Sequence, residues 1–399
     1  MSNRAETVTM EPAAGTAAPG PGKLRQRFSG SMIRSYSLVI AIVAVWVIFD
    51  VLTGGIFLEP RNFSNLMRQT AVTGILSVGM VMVIVTAEID LSVGSLVGFS
   101  GMAAVMLQTV AHAGLVASLL IGLGVGLAVG ALQGWLTAYA RIPSFIVTLG
   151  GLLAWRGAAQ GISGGNTYPV EVQSFTALGQ SYTSRTIGVV LMILSVAAVV
   201  WLVLRRRAMQ KRHGLESWSA AGAAVRIALP SILIVAFVIV LNAYAGIPIP
   251  VLILVTIALA GTFLMANTTF GRRLYAVGGN PEAAKLSGIN VRGQILRAFC
   301  IVGLLSGVAG IIYTARLGSA GPDAGTLLEL DAIAACVIGG ASLMGGRGTV
   351  LGACLGALFM ASLDNGMSLK DVPDFVQNIV KGGILVIAVG LDVLGRQRD

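Results

Sequence analysis

The sequence predicts an all-α, polytopic bundle of membrane-spanning helices. Of its 399 residues, 55% are hydrophobic and only 11% are charged, whereas a soluble domain carries about 25% charged residues. The mean hydropathy is +0.85. Apolar runs of roughly 17 to 25 residues, long enough to cross a ~30 Å hydrocarbon core, recur along almost the whole chain. These observations indicate a protein that resides in the membrane.

We predict about twelve spans, within a range of roughly ten to twelve because several apolar runs are short or interrupted by Gly. The segments lie at 36–57, 71–87, 91–110, 115–138, 143–162, 186–204, 227–246, 248–266, 297–314, 331–346, 348–363 and 375–395. They form one membrane domain over 36–395. Residues 1–35, rich in Ala, Pro, Gly and Thr, predict a disordered cytoplasmic tail, and 396–399 a second short tail.

Lys and Arg predict the orientation of the chain in the inner membrane. With a cytoplasmic N-terminus, the inner connections hold runs such as Arg205–Arg207 and Arg272–Arg273, and the outer connections hold few basic residues. Basic residues concentrate on the cytoplasmic side of membrane proteins. Both termini are therefore expected in the cytoplasm. The net charge of +10 is then a topology signal and does not indicate a nucleic-acid partner.

The cysteines and histidines predict no metal or cofactor site. Cys300, Cys336 and Cys354 all lie inside apolar stretches and resemble small buried hydrophobic residues. His112 and His213 lie in polar connections. A histidine-based catalytic centre has almost nothing from which to form.

Two segments, about 71–162 and about 297–395, share short matches in the same order and predict an internal repeat. The matches pair Gly74-Ile-Leu-Ser77 with Gly303-Leu-Leu-Ser306, Thr86-Ala87 with Thr314-Ala315, Glu88-Ile-Asp90 with Glu329-Leu-Asp331, Gly122, Gly126 and Gly130 with Gly348, Gly352 and Gly356, and Pro143-x-Phe145 with Pro373-x-Phe375. Inserted spans occupy about 182–247. The predicted topology makes the first copy start outside and the second inside. Such an inverted repeat places a substrate path at the interface between copies, which favours a transporter over a receptor or a membrane enzyme.

Polar residues beside or within the spans are candidates for a translocation path or its gating, because charges inside a membrane usually face a cavity or a partner. The candidates are Glu88, Asp90, Arg156, Asn166, Asp331, Asp364, Asn365 and Lys381. The topology places the first two near the inner face, and Asp331, with Glu329, near the outer mouth. The alternative for the charged residues is structural ion pairing, for instance between Lys381 and Asp331. Asn166, Asp364 and Asn365 lie at outer span ends, where solvated loop residues are the alternative.

The cytoplasmic connection between Asn267 and Arg297 predicts a short helix. Asn280 provides an N-cap, Pro281 the first helical position and Glu282 a negative charge beside the positive helix end. Gly288 provides a stop after about two turns.

These residues resemble the ribose/xylose/galactoside family of bacterial ABC sugar permeases. The resemblance rests on FGRRLYAVGGNPEAAKLSGIN at 270–290, EIDLSVGS at 88–95, PSFIVTL at 143–149, ELDAIAA at 329–335, ASLDNGM at 361–367 and VKG at 380–382. It extends from about residue 60 to the C-terminus. The chain is most similar to the xylose-type members, because an extra segment forms spans six and seven around the basic connection from Arg205 to Arg226.

The resemblance implies that the chain is the permease subunit of an ATP-driven importer for a monosaccharide such as D-xylose. It implies a homodimer, an ATPase subunit with two nucleotide-binding domains and a periplasmic sugar-binding protein. Contact with the ATPase falls to Asn280, Pro281, Glu282, Lys285, Ser287 and Gly288. ATP and Mg²⁺ are expected on that partner, because the only Gly-Lys here is Gly22-Lys23-Leu24, which forms no phosphate loop.

Two other classes of function remain as alternatives. An ion- or proton-coupled secondary carrier also fits an inverted repeat. Such a carrier needs titratable groups in the middle of its spans, and it does not need a coupling helix. A membrane enzyme needs a nucleophile–base pair or a metal cluster, and the sequence shows neither. The identity of the sugar stays open at this point.

Overall fold

The computed structural model describes the backbone of residues 21–214 and 218–396, and the side chains of 37–214 and 218–390. This part of the chain forms fifteen helices and two short strands. In order they are α1 (Pro21–Leu52), α2 (Pro60–Val85), α3 (Val93–Ala111), α4 (Leu115–Ala138), α5 (Ser144–Ser163), β1 (Tyr168–Pro169), α6 (Gln173–Gln180), α7 (Arg185–Arg212), α8 (Ala220–Tyr244), α9 (Ile249–Asn267), α10 (Thr269–Gly279), α11 (Pro281–Leu286), α12 (Val291–Leu317), β2 (Ser319–Ala320), α13 (Leu328–Ile338), α14 (Val350–Leu369) and α15 (Asp374–Arg396). The predicted all-α membrane bundle is confirmed.

Nine helices in the described residues are long and apolar enough to cross a membrane: α2, α3, α4, α5, α7, α8, α9, α12 and α14. The apolar part of α1, Ser37–Leu52, is shorter. The predicted span at 331–346 is wrong, because α13 has only 11 residues and covers about 16 Å of a ~30 Å hydrocarbon core. Its apolar run continues into a turn that contains Gly339 and Gly340.

Several helices extend beyond their predicted spans, because hydropathy marks the apolar part of a helix and not its ends. The helix α2 begins at Pro60, well before the predicted start at residue 71, and includes Arg61 and Arg68. The helix α1 begins at Pro21, so residues 21–35, predicted to be disordered, form its first turns. Proline suits both starts because its missing N–H has no partner in a first turn. The rest of the predicted N-terminal tail lies outside the described residues.

Three elements were absent from the predicted spans: α6, α10 and the β1–β2 pair. Thr268 caps α10, with its Oγ1 accepting a hydrogen bond from the Gly271 N–H at 3.4 Å. The strands pair antiparallel, with Tyr168 opposite Ala320. This pairing joins the connection after α5 to the connection after α12.

The two predicted copies each contain four helices in the same order, α2–α5 and α12–α15. The centre of the bundle is α2, whose apolar part is almost wholly buried, and which packs against α12, α13 and α14. The two copies therefore share one core and do not form separate domains.

Glycines bring α4 and α12 into backbone contact. A side chain at Gly126 would collide with the Gly303 carbonyl, and a side chain at Gly303 with the Gly126 carbonyl. Gly122, Gly130 and Gly134 face α12 in the same row. A row of glycines at every fourth position therefore allows the close packing of this helix pair.

The inserted helices α7 and α8 lie at the edge of the bundle. They pack against each other, and α8 also contacts α2, yet most of their residues remain exposed. An apolar surface of this kind suits contact with lipid.

Candidate functional site

The predicted path residues fall into two groups and two outlying positions. One group surrounds the N-termini of α3 and α13 and is called the helix-end cluster: Glu88, Asp90, Ser92, Gln133, Arg156 and Glu329. The other, the lysine triad, contains Lys381, Asp331 and Asp364. The end of the bundle that carries α10 and α11 is called the α11 end, and the other the opposite end.

The helix-end cluster forms because two connections fold back into the bundle. After α2 ends, residues 86–92 lead to the start of α3, and after α12 ends, residues 318–327 lead to the start of α13. The Glu329 carboxylate and the Gly325 carbonyl both lie against Gly94 in the first turn of α3. The N-termini of a helix from each copy therefore meet inside the bundle.

This contact corrects the predicted placement of the acidic residues at opposite membrane faces. Glu329 interacts electrostatically with Arg156, Asp331 and Asp90, so these groups share one region. The prediction failed because it treated 71–87 and 91–110 as spans joined at a membrane surface. Positive helix ends favour carboxylates, which explains why the acidic residues lie here.

The matched Glu-x-Asp motifs also differ in their position relative to the helices. Glu88 and Asp90 precede α3, whereas Glu329 and Asp331 lie within the first turn of α13. Glu88 is half-buried, and the N–H of the adjacent Ile89 donates to the Ser144 hydroxyl at the start of α5 at 3.3 Å. The sequence match therefore does not place equivalent side chains in equivalent sites.

Asp90 is almost wholly buried and holds the entrance to α3. Its Oδ1 accepts hydrogen bonds from the Ser92 N–H at 2.8 Å and the Ser92 hydroxyl at 2.7 Å. Gln133 Nε2 of α4 lies 2.9 Å from Ser92 Oγ. Asp90 Oδ2 and Glu329 Oε2 are buried and hydrogen-bond to no described residue. The cluster thus presents acceptors with spare capacity.

Arg156 holds the second connection in place. Its Nη1 donates to the Ala324 carbonyl at 2.7 Å and approaches the Pro322 carbonyl at 3.4 Å. The adjacent Trp155 stacks on Phe99, with ring centroids 6.0 Å apart. Arg156 therefore links α5 to the connection that precedes α13.

The lysine triad joins α13, α14 and α15. Lys381 Nζ lies 3.1 Å from Asp331 Oδ2 and 2.8 Å from Asp364 Oδ1. The predicted pair of Lys381 with Asp331 is confirmed. Asp364 is a second partner that the sequence did not reveal, because α14 continues to Leu369 and holds Asp364 within the helix, away from the loop predicted there.

A cavity of about 170 Å³ lies beside the triad, between α2, α12, α13 and α14. Its lining residues are Gln69, Val72, Thr73, Tyr313, Arg316, Leu328, Ala361, Asp364 and Ser368. Most of them come from the first half of α2 and from the C-terminal halves of α12 and α14, so the cavity lies towards the opposite end. Of these residues only Asp364 was predicted. Isolated polar residues in apolar helices carry no sequence signal that could have identified the others.

The two outlying positions are Asn365 and Asn166. Asn365 is buried, and its Oδ1 accepts a hydrogen bond from Asn62 Nδ2 at 2.8 Å, which ties α14 to α2. Asn166 is exposed in the connection after α5, where its amide bonds to Gly164. The structure brings neither residue to the two groups.

The predicted short helix is present as α11. Asn280 Oδ1 accepts a hydrogen bond from the Ala283 N–H at 2.9 Å. The hydroxyl of Ser287 bonds to the Ala283 carbonyl at 2.9 Å, and Gly288 ends the segment with φ +79°. Glu282 and Lys285 are exposed, and Leu286 is 90% exposed. The helix thus presents charged and apolar groups outward at the α11 end.

The segment α10–α11 is joined to both predicted copies of the repeat. Gly278 lies against the Val85 carbonyl at the end of α2, and the same carbonyl accepts a hydrogen bond from the Gly346 N–H at 2.9 Å. The Tyr275 hydroxyl donates to the Gly348 carbonyl at 2.7 Å. A displacement of α10 would therefore act on the end of α2 and on the connection between α13 and α14.

The described residues contain no group of three or more His, Cys, Asp or Glu side chains that could hold a metal ion. The polar groups described above are suited to hydrogen bonding and ion pairing. They offer no nucleophile–base arrangement for covalent chemistry.

Comparison with known proteins identifies relatives over most of the chain. Residues 62–209 and 216–389 match the family model described as branched-chain amino acid transport system / permease component. The chain is 47% identical over 367 residues to the xylose transport system permease protein XylH of Escherichia coli (strain K12), covering 92% of this chain and 93% of the relative. Identity to XylH of Haemophilus influenzae is also 47%, over 92% of this chain and 98% of the relative. The ribose import permease protein RbsC of Bacillus subtilis is 36% identical over 336 residues, covering 84% of this chain and 86% of the relative. No solved structure matches the chain.

Proposed function

The chain belongs to this family of transport-system permease components, and from that premise we propose that it imports D-xylose or a related pentose across the inner membrane. In this proposal it is the membrane-spanning subunit of an ATP-driven ABC importer. The observation that carries the proposal is the 47% identity to xylose permeases over 92% of the chain. Identity to the ribose permease of Bacillus subtilis is lower, at 36%.

The segment α10–α11 is the proposed contact for an ATPase subunit with two nucleotide-binding domains. ATP and Mg²⁺ bind to that subunit, and this chain hydrolyses no ATP. Its exposed groups Glu282, Lys285 and Leu286 suit a protein partner. Movement of α10 then acts through Val85 and Gly346 on both copies of the repeat.

The proposed path runs past the lysine triad and the helix-end cluster, where Glu88, Asp90, Arg156 and Glu329 hold the two internal connections. Opening and closing of these connections gates the sugar. With α11 in the cytoplasm, both termini are cytoplasmic, and the cavity beside the triad faces the periplasm. A periplasmic sugar-binding protein delivers the sugar there, and two copies of the chain form the membrane unit.

Uptake in a strain without its own xylose transport tests this function. The strain carries the full chain with its ATPase and binding protein, and initial uptake of labelled D-xylose, D-ribose and valine is measured. We expect saturable uptake of D-xylose that stops when the ATPase is inactivated and persists when a protonophore collapses the proton gradient at constant ATP. Uptake that is independent of the ATPase and stops when the proton gradient collapses would establish the secondary-carrier alternative.

A further inference from the structure

We infer that the cavity between α2, α12, α13 and α14 is a transient binding site for one neutral monosaccharide in its ring form. The inference rests on the proposed function and adds the place and the chemistry of one step. Each copy of the chain carries such a site, walled by α2 of the first repeat copy and by α12, α13 and α14 of the second. The sugar therefore binds within one chain before it passes the internal connections.

The shape of the cavity fits a ligand of this size. Its volume of about 170 Å³ exceeds the ~30 Å³ share of a water molecule several-fold, and lies below the ~300 to 1,000 Å³ of sites for drug-sized ligands. Val72, Thr73 and Ala361 form a buried floor, and Ser368 is exposed at the rim. A single sugar ring can enter from the rim.

The lining offers hydrogen-bonding groups without partners. The side chains of Gln69, Thr73, Tyr313 and Ser368 make no hydrogen bond to any described residue. Arg316 Nε is buried and likewise makes none to a described residue. A sugar presents hydroxyls that both donate and accept, so it can satisfy these groups together.

The apolar part of the lining matches the C–H faces of a sugar ring. Val72, Leu328, Ala361 and the ring of Tyr313 surround the same space as the polar groups. An apolar wall with a few converging polar groups is the usual composition of a small-molecule site.

The cavity brings charges of both signs close together, an arrangement that suits a neutral ligand with donors and acceptors. Arg316 lies close enough to Arg68 for the two positive charges to interact, and together they attract negative charge. The Asp364 carboxylate lines the same space and carries Lys381 as its partner, so an anionic sugar meets a like charge. A neutral sugar can donate to Asp364 and accept from Arg316 without this repulsion.

Thiol protection tests the site independently of transport. Ser368→Cys places a thiol at the rim, and Lys370→Cys places one on an exposed position outside the lining. In cells carrying the complete transporter, each is labelled with a membrane-impermeant maleimide, and the unsubstituted chain supplies the background from its native cysteines. We expect saturating D-xylose to slow the labelling of Ser368→Cys at least about fivefold and to leave the labelling of Lys370→Cys unchanged. We expect D-glucuronate to protect Ser368→Cys less than D-xylose does.

Uptake by two lining variants supplies the second measurement. Thr73→Val and Gln69→Leu each remove one hydrogen-bonding group and should lower the maximal rate of D-xylose uptake about two- to tenfold, the usual effect of one hydrogen bond. Thr70→Val is the control, because its hydroxyl bonds to Leu66 of its own helix at 2.9 Å and does not line the cavity. Suppose that the transporter takes up D-xylose, but D-xylose does not protect Ser368→Cys and the variants Thr73→Val and Gln69→Leu transport normally. This result would overturn the inference and leave the proposed function intact. Failure of the unsubstituted transporter to take up any neutral monosaccharide would overturn the proposed function as well.

Discussion

The Glu329 carboxylate occupies the space in which a side chain at Gly94 would begin. This contact joins the first turn of α13 to the first turn of α3, two helices that belong to different copies of the predicted repeat. The absence of a side chain at Gly94 therefore lets the two positive helix ends share the carboxylates of Glu329 and Asp90. The close approach of the internal connections therefore requires glycine at this position.

Gly94→Ala should destabilise the fold and abolish uptake. The added Cβ meets the Glu329 carboxylate and the Gly325 backbone, and the backbone has little freedom to move. Overpacking of this kind typically costs about 1 to 3 kcal/mol. The melting temperature of the purified chain and its abundance in membranes measure the effect. Gly157→Ala is the matched control, because nothing lies within 4 Å of its Cβ position, and it should be neutral or slightly stabilising. Equal behaviour of the two variants would contradict the contact.

Lys381→Met should be more damaging than Asp331→Asn or Asp364→Asn, because it leaves two carboxylates without their shared partner. Removing one partner of a fully buried pair costs about 3 to 5 kcal/mol, and the loss here is smaller because the Asp364 side chain is 30% exposed. Each single Asp variant keeps Lys381 paired with the other carboxylate. Membrane abundance and D-xylose uptake of the three variants give the ranking.

The charge-swapped pair Lys381→Asp with Asp331→Lys separates structural pairing from contact with the sugar. The swap keeps a cation beside two carboxylates, so expression should recover at least in part. Uptake should recover only if neither position touches the sugar. Normal expression and uptake of Lys381→Met alone would show that the triad has no structural importance.

Elements whose signals lie within a single segment could be predicted from the sequence. The span at 115–138 coincides with α4, since its apolar run begins after Gly114 and ends shortly before Arg141. The short helix α11 followed from its Asn280 cap, Pro281 start and Gly288 stop. These signals depend on neighbouring residues alone.

The candidate site was predicted less completely, because its geometry depends on how the chain folds back. Hydropathy does not distinguish a connection at the membrane surface from one that re-enters the bundle, so Asp90 and Glu329 were placed apart. The pair of Lys381 and Asp331 followed from the cost of burying single charges. Asp364 and the cavity did not, because they depend on which face of α14 meets α2, α12 and α15.

Reporter fusions should place α11 and the basic end of α7 in the cytoplasm. Fusions after Arg207 and Lys285 should read cytoplasmic, and fusions after Val172 and Asp371 periplasmic, because the basic connections lie on the cytoplasmic side. A fusion after Ala324 is unsuitable, because Ala324 lies in a connection folded into the bundle. Alkaline phosphatase and green fluorescent protein give opposite readouts at each site. A periplasmic signal after Lys285 would reverse the proposed orientation.

Gly278→Ala should break the link between ATP hydrolysis and uptake. Gly278 lies so close to the Val85 carbonyl that a Cβ cannot fit, and Val85 also accepts the hydrogen bond from Gly346. The added methyl group must push α10 away from the end of α2 or break that bond, so movement of α11 no longer reaches both copies of the repeat. The exposed surface of α11 is unchanged, so the ATPase should still copurify with the variant. We expect ATP hydrolysis that the loaded binding protein no longer stimulates, and D-xylose uptake reduced at least about tenfold, equivalent to ~1.4 kcal/mol.

Gly279→Ala adds the same methyl group one residue later, where nothing lies within 4 Å, and should retain uptake. Uptake by Gly278→Ala equal to that of Gly279→Ala would show that this contact transmits no movement.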